Sequence, residues 1–581
     1  MATQNPLIQK PSGTVLFPAP HSTQPLKIQS PAQITTAQAI VQMLQQLGVQ
    51  QAFGVSGGAV ASLWAAMSQS PLEVLHFRHE SGAVFAAVEA NLANNKPVVV
   101  FTTTGPGLTN AITGLYAARW EGAKVIFISP ATAVSHRERW AFQETSHHTM
   151  PSELFHSGRL FHYATSLESP EQLPEVSRRL TLGLTRPGGF IAHLSVPTTV
   201  QSSPITSELP PIKFSQSLAV PGEDMISEAV QQLSEGNFAI WVGFGARGAA
   251  TEIRQLAERT GAAVMCSPRG KGIFPEDHPQ FIGVTGFGGH SSVVKYMQEH
   301  RPMRVLVLGT RLSEFTSFWS PAMVPQRGFI QVDIDPQVFG VAYPEVETLG
   351  IQSDVGLFIR ALLKYFPPRG SLISQVLPRP EQTTVEPLNA CPVRPSVLMD
   401  AIQRVIVEQS NAIVITEAGN SFAWGTNRLR FQQPGRYRVS TGFGSMGHAA
   451  TGVLGAALAG QGKAVAIVGD GAMLMNSEIS TAVQHQIPAL WVVLNDGRYN
   501  MCAQGMAALG YEGINAGIGT TNFVMMARAL GAAGVRVSSE SELETALKQA
   551  LATAEPFVID VVIDESEPAP CGSRIQSLKA Q

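Results

Sequence analysis

The chain is short of charge. Only 14% of its 581 residues are Asp, Glu, Lys or Arg, against about 25% in an ordinary soluble protein. The two signs nearly cancel, leaving a formal net charge of −3, so no long-range field draws nucleic acid or anionic lipid. A surface this poor in charge implies area hidden between subunits, and the expectation is an oligomer. Cysteine is scarce as well. Cys266, Cys391, Cys502 and Cys571 lie far apart and form no C-x-x-C pair, which suits neither a zinc site nor a disulfide framework. They read as four reduced thiols in the cytoplasm. No apolar run reaches the roughly 18 residues that a membrane span needs. Residues 1–32 are rich in Pro, Gln and Ser without an apolar stretch, the composition of a mobile tail and not of a signal peptide.

What is present is alternation. Short apolar runs at Leu72–Phe77, Pro97–Phe101, Lys124–Ile128 and Gly189–Leu194 have the character of strands buried on both faces. Amphipathic segments such as Ala37–Leu47 and Ser81–Ala93 lie among them. The pattern recurs at Phe238–Val242, Ala262–Cys266, Met303–Leu308 and Phe329–Ile334, and again at Ala412–Thr416, Ala464–Val468, Pro488–Leu494 and Phe557–Ile563. It predicts α/β architecture: three Rossmann-like domains, each a mostly parallel sheet with helices on both faces. Polar, proline-bearing stretches near Thr198–Pro221 and Pro367–Pro395 divide the series. The expected domains are 33–197, 222–366 and 396–565, with a linker at 367–395 and a tail at 566–581.

Near the C-terminal end, strand Ala464–Val468 runs directly into Gly469-Asp470-Gly471. The glycines let backbone N–H groups approach a phosphate, and the following segment can begin a helix whose N-terminus favours anions. Asp470 offers a hard oxygen to Mg²⁺, which takes one or two carboxylates plus phosphate oxygens. The next buried strand ends in Asn495-Asp496-Gly497-Arg498, more oxygen at the carboxyl edge of the sheet, where ligands of open α/β folds bind. Gly-Asp-Gly alone is usually a turn; the paired strand ends make it a metal and diphosphate candidate. At the front of the chain, Arg78-His79-Glu80 follows a strand and opens a helix. An N-terminal glutamate favoured by the helix dipole is the plain reading.

These segments together resemble thiamine diphosphate enzymes, closest to the acetolactate synthase group. Gly469 to Met501 is similar to that family's cofactor motif, which ends in Asn-Asn; Asp496 stands here in place of the second Asn, and the spacing in this chain is one residue shorter than usual. Thr104-Gly105-Pro106-Gly107-Leu108-Thr109-Asn110, Phe53-Gly54-Val55-Ser56-Gly57-Gly58-Ala59 and Ser440-Thr441-Gly442-Phe443-Gly444-Ser445-Met446-Gly447 resemble three further family segments. The resemblance covers about residues 33 to 565.

It implies thiamine diphosphate and Mg²⁺ as cofactors. Asp470, Asp496 and the Arg498 carbonyl would hold the metal, and Gly419, Asn420, Ser421, Gly469, Gly471 and Ala472 would face the diphosphate. Glu80 would bond the aminopyrimidine ring, Pro106 and Asn110 would seat it, Met446 would prop the cofactor into its bent form, and the Gly444 carbonyl would face the amino group. The chemistry needs such a glutamate: the reacting carbon must lose a proton, water is a poor base for it, and a desolvated carboxylate can hold or pass one.

Phe142-Gln143-Glu144 resembles a segment lining the acetolactate synthase pocket, and His147-His148 resembles the paired histidines of pyruvate decarboxylases; Gln143, His147 and His148 are therefore catalytic candidates. Acetolactate synthases carry Trp where Gly505 stands, so a roomier pocket and a bulkier 2-oxo acid follow. The implied reaction is decarboxylation of a 2-oxo acid with carboligation to a second carbonyl. The specific expectation is an acyloin-type synthase acting on aromatic 2-oxo acids such as indolepyruvate and hydroxyphenylpyruvate, like that of the scytonemin pathway. The alternative is a non-oxidative decarboxylase releasing an aldehyde. The expected partners are small-molecule 2-oxo acids and other copies of the chain, as homodimer or homotetramer, with no nucleic acid and no membrane. Gly243-Phe244-Gly245-Ala246-Arg247-Gly248 matches G-x-G-x-x-G after a strand. However, the next strand ends in Ser267-Pro268-Arg269, with no acidic residue to hold a ribose. FAD is possible there but not expected.

Overall fold

A computed structural model describes residues 34–205, 209–213, 215, 218–367, 376–381 and 385–580. The tail of residues 1–32, and parts of the 367–395 linker, lie outside the described residues. Among the described residues eighteen strands form three six-stranded sheets, and every pairing within them is parallel. In chain order the first sheet holds β1 (Gln51–Gly54), β2 (Glu73–His76), β3 (Val98–Phe101), β4 (Lys124–Ala131), β5 (Tyr163–Ser166) and β6 (Phe190–Pro197). The second holds β7 (Phe238–Val242), β8 (Ala263–Cys266), β9 (Phe281–Val284), β10 (Arg304–Leu308), β11 (Phe329–Asp333) and β12 (Thr348–Gln352). The third holds β13 (Ile413–Thr416), β14 (Tyr437–Val439), β15 (Ala464–Gly469), β16 (Ala489–Asn495), β17 (Ala533–Val537) and β18 (Phe557–Val562).

Strand order separates the three. The middle sheet runs β12-β11-β10-β7-β8-β9, the order of dinucleotide-binding folds read from its far edge. The outer sheets run β2-β1-β3-β4-β6-β5 and β14-β13-β15-β16-β18-β17, which is one topology used twice.

The first and third domains share a core. The helix Glu80–Asn94 is rich in Ala and buried almost throughout, as is His448–Gly460, so neither has a solvent face and each must pack on more than its own sheet. They pack on each other. Val84, Ala87 and Val88 of the first join Val453, Leu454 and Ala456 of the second in one apolar cluster with Phe127 and Trp491. Glycine permits the approach: a Cβ on Gly455 would lie 1.8 Å from the Ala86 carbonyl oxygen, and one on Gly452 would lie 2.9 Å from Glu89 Cγ. A buried ion pair crosses the same seam, His448 Nε2 lying 2.8 Å from Glu89 Oε1. After the third sheet the chain ends in a helix, Gly572–Ala580, whose Arg574 pairs with Glu314 of the middle domain.

Candidate functional site

At the carboxyl edge of the third sheet, Asp470 is tied to two loops at once. Its Oδ1 accepts the Gly471 N–H at 2.7 Å, and its Oδ2 accepts the Gly497 N–H at 2.6 Å. Burial raises its pKa, against the pull of these donors. Asp496 is pushed up to about 6, first by burial and then by the charge of Asp470. Two desolvated carboxylates that repel each other are a place for a cation, and oxygen-only donors suit Mg²⁺. Among the described residues no group of three or more His, Cys, Asp or Glu gathers as a metal cage; this pair is the donor set at the strand ends. The Arg498 carbonyl accepts the Asn500 N–H at 2.9 Å, keeping one lone pair for a metal, while its guanidinium pairs outward with Glu565.

Two local expectations need correction. The helix after Gly469 runs only from Asp470 to Met473, too short to build up a useful dipole. The two glycines also differ in purpose. A Cβ on Gly469 would meet open space, whereas one on Gly471 would lie 2.4 Å from the Tyr499 ring. Gly471 is small to seat Tyr499. Ala472 follows it, buried.

Across the sheet, Gly419 takes φ +99°, where a side chain would be strained, and the helix Asn420–Arg428 begins. Asn420 Oδ1 is buried without a hydrogen-bond partner, the kind of orphaned polar atom that a ligand satisfies. The Ser421 hydroxyl donates to the Glu417 carbonyl at 2.9 Å, so towards a phosphate it has only its lone pairs to offer. Gly444, at φ +65°, donates its N–H to Ser440 Oγ at 3.1 Å. Met446, half-buried, stands at the tip of this anchored turn.

The first domain assembles a second cluster. Glu80 opens its helix with 7% exposure, and its Oε2 accepts the Asn110 side-chain N–H at 3.1 Å. A Cβ on Gly107 would lie 3.4 Å from Glu80 Oε1, so the turn carrying Pro106 closes over the carboxylate. Gly105 holds φ +60° and donates its N–H to Thr145 Oγ1 at 2.6 Å. Thr104 Oγ1 bonds Gln143 Oε1 at 3.3 Å. Glu80, Pro106, Asn110 and Gln143 therefore lie together.

The two histidines stand apart from this group. The His147 and His148 rings are 3.9 Å apart, both exposed, and His148 Nδ1 lies 2.9 Å from Glu138 Oε1. The same loop carries Trp140 and Phe142 at 98% and 90% exposure.

Two carboxylates escaped the sequence reading. Glu478 accepts the backbone N–H groups of Arg78 and His79 at 3.0 Å each, reaching from the third domain to the residues just before Glu80. Glu417 Oε2 accepts the N–H groups of Gly447, Ala449 and Ala450, each at 3.1 Å, and so caps the helix that follows Met446. The available signal was position: each is a buried glutamate within eight residues of a candidate cofactor loop, Glu417 before Gly419 and Glu478 after Asp470.

In the middle domain the G-x-G-x-x-G loop packs on its own neighbour. A Cβ on Gly243 would lie 2.3 Å from Thr310 and one on Gly245 3.0 Å from Gly309. The Phe244 ring lies under the guanidinium groups of Arg269 and Arg247, at 4.0 and 4.4 Å.

The chain thus carries two candidate clusters on like-ordered sheets, one a lone buried glutamate and the other a pair of carboxylates at strand ends. The chain belongs to the thiamine pyrophosphate enzyme family. Residues 34–150 match its N-terminal TPP binding domain, 226–362 its central domain, and 417–561 its C-terminal TPP binding domain. Among its relatives it is acetolactate synthase-like. It is 27% identical to acetolactate synthase isozyme 1 large subunit of Escherichia coli, over 92% of this chain and 94% of that protein. It is 27% identical to an acetolactate synthase of Mycobacterium leprae, over 94% and 90% of the two chains, and 28% to the large subunit from Corynebacterium glutamicum, over 92% and 88%.

Proposed function

We propose that the protein decarboxylates a 2-oxo acid and joins the remaining carbon to a second carbonyl, with thiamine diphosphate and Mg²⁺ as cofactors. Thiamine diphosphate, when bound, supplies the nucleophilic carbon on which CO₂ is released. Asp470, Asp496 and the Arg498 carbonyl hold Mg²⁺, and Gly419, Asn420, Ser421, Gly469, Gly471 and Ala472 face the diphosphate. Glu80 holds and returns a proton at its carboxylate, kept in place by Asn110 and by the turn through Pro106. Met446 and the Gly444 carbonyl orient the ring system. Gln143, His147 and His148 stand on the Glu80 side of the substrate, and in a homodimer or homotetramer the cofactor bridges the first domain of one copy and the third of another. The exposed Trp140 and Phe142 beside them support a covered surface there.

The substrates proposed are aromatic 2-oxo acids such as indolepyruvate and hydroxyphenylpyruvate, because a Cβ on Gly505 meets nothing within 4 Å and the site is open at that point. The enzyme would work in the cytoplasm; no helix among the described residues is long and apolar enough to cross a membrane. The proposal includes no flavin.

The observation that carries the reading is the buried Glu80 carboxylate bonded by Asn110, paired with the repelling carboxylates of Asp470 and Asp496. Its test is to incubate the protein with thiamine diphosphate, Mg²⁺ and pairs of 2-oxo acids and to identify products by mass. Coupled hydroxyketone products are expected, and Glu80→Gln should lose nearly all turnover. Aldehyde as the sole product would replace carboligation with simple decarboxylation. Near-normal turnover in Glu80→Gln would overturn the role of Glu80.

A further inference from the structure

The function proposed above gives the middle domain no part, yet this domain buries a lysine. Lys271, just after β8, meets Glu276 Oε2 at 2.8 Å, and the two side chains are 0% and 1% exposed. A fully buried ion pair is a poor source of stability, because the desolvation of both charges offsets their attraction. Its placement shows another use. Lys271 Nζ also donates to the Thr426 carbonyl at 3.1 Å, and Thr426 lies in the last turn of the third-domain helix Asn420–Arg428.

A helix leaves its last carbonyls without donors of its own. Here the N–H groups that would reach back to Thr426 and Asn427 are turned elsewhere: that of Arg430 to Gln403 Oε1 at 2.9 Å, and that of Phe431 to Glu276 Oε1 at 3.2 Å. The middle domain replaces them. Lys271 serves the Thr426 carbonyl, and His290 serves that of Asn427, its Nε2 lying 3.0 Å away. His290 Nδ1 accepts the Val284 N–H at 2.9 Å, so the ring proton sits on Nε2 and points at the helix. Burial lowers the pKa of this ring to about 4, which leaves Lys271 as the middle domain's cation at the helix end. Asn427 in return donates its side-chain N–H to the Gly288 carbonyl at 3.2 Å. The approach is close: a Cβ on Gly288 would lie 2.6 Å from the Ala423 carbonyl oxygen.

The same helix begins at Asn420, the proposed diphosphate residue, whose Oδ1 has no partner among the described residues. Nine residues of helix span roughly 14 Å, and a dipole that favours an anion at one end favours a cation at the other. A second tie runs beside the first. The Tyr437 hydroxyl lies 3.0 Å from Thr426 Oγ1 and 2.9 Å from Thr416 Oγ1, which fixes the helix end to the strand end leading to Glu417 and Gly419. We infer that Lys271 is a positioning residue for the cofactor: by holding the C-terminal end of the helix Asn420–Arg428, the middle domain sets Asn420 and the first helical turn against the diphosphate. This rests on the placement of Asn420 given above. Lys271 acts through the helix, so its loss weakens thiamine diphosphate binding without slowing the loaded enzyme.

The test uses the full-length chain. Lys271→Met alone leaves the Glu276 carboxylate unpaired in the interior, so the variant used combines Lys271→Met with Glu276→Gln. It removes both charges at similar volume and keeps an oxygen for the Phe431 N–H, and the unfolding midpoint should stay near that of the parent. Calorimetric titration with thiamine diphosphate and Mg²⁺ should give a dissociation constant about tenfold higher, with kcat at saturating cofactor unchanged. Lys271→Gln with Glu276→Gln, whose amide is one atom shorter than the lysine chain, gives the same reading should the first pair fail to fold. Asn420→Ala should weaken the cofactor by itself, and adding it to the paired variant should cost less than the product of the separate losses. Unchanged cofactor affinity in a folded paired variant, a fall in kcat in place of affinity, or a full product of losses would overturn the inference. Unchanged affinity in Asn420→Ala would instead overturn the placement of Asn420 at the diphosphate, so the two failures are told apart.

Discussion

The Glu478 carboxylate reaches out of the third domain and accepts the backbone N–H of His79 at 3.0 Å, one residue before Glu80. It also accepts the Arg78 N–H and the Thr481 hydroxyl, so both of its oxygens are engaged. Glu478→Ala leaves three donors, two part-buried N–H groups and the buried Thr481 hydroxyl, without this acceptor and should cost roughly 1–3 kcal/mol. The measurement is the unfolding midpoint together with turnover, and both should fall. Glu478→Gln keeps one accepting oxygen and should fall less; equal losses for the two variants would deny the carboxylate this role.

The seam between helices Glu80–Asn94 and His448–Gly460 has no room for a methyl group at Gly455, where a Cβ would lie 1.8 Å from a backbone oxygen. Backbone cannot step aside as a side chain can. Gly455→Ala should therefore destabilise by roughly 1–3 kcal/mol or more, as overpacked cores do. Gly510→Ala, at a position where nothing lies within 4 Å but φ is +87°, controls for backbone strain alone and should cost about 1 kcal/mol.

Buried in that seam, His448 is held above its ordinary pKa. Burial alone would lower its pKa, but the Glu89 hydrogen bond and charge outweigh this, with Glu121 and Glu417 adding to the rise. Glu89 is correspondingly held down, burial notwithstanding, by His448 and Arg438. A raised folded-state value means the stabilisation is whole below the ordinary His pKa of about 6.5 and is lost as pH rises through the folded value. The unfolding midpoint should drop with pH across that window, and His448→Asn should flatten the drop. A slope that survives the substitution would assign it elsewhere.

Asp496→Asn removes one of two carboxylates that repel each other without a cation between them. The metal-free protein should become more stable, its midpoint rising by on the order of a few degrees, while added Mg²⁺ should stabilise the variant less than the parent. Asp470→Asn should instead lose Mg²⁺-dependent binding of thiamine diphosphate, because Asp470 also joins the loops at Gly471 and Gly497.

Gly505→Trp tests the pocket. The position is open, so the ring fits without a clash at Cβ. The ratio of kcat/KM for phenylpyruvate over pyruvate should fall about tenfold or more, a typical cost for losing apolar room; an unchanged ratio would remove the argument for aromatic substrates.

The fold class was legible because its central strands are buried on both faces and so read as unbroken apolar runs: Phe238–Val242 and Ala464–Gly469 are nearly as their composition predicts. The unread strands were β1, β5, β9, β12, β14 and β17, and all but β1 are sheet edges. Tyr163–Ser166, Thr348–Gln352 and Ala533–Val537 are short and only part-buried, so half-solvated side chains blur the pattern. At the candidate site, Asn110 and Asp470 could be picked out beside glycine turns that follow strands, and Glu80 at the start of a helix after β2. Glu417 and Glu478 could not. Their partners are backbone N–H groups of remote segments, which have no signature in composition, and only the packing of two domains shows why a carboxylate must be buried there. The exposed His147 and His148 show the reverse: a pair conspicuous in sequence, whose ring contacts within the chain are with each other and with Glu138.

The outer sheets repeat one strand order, and the helices that pack across their seam occupy the same place in each, between the second and third strands. The Pro106 turn after β3 and the Asp470 turn after β15 are thus counterparts. The turn at the same place in one topology therefore carries Pro106, which closes over Glu80, in the first domain and Asp470 in the third.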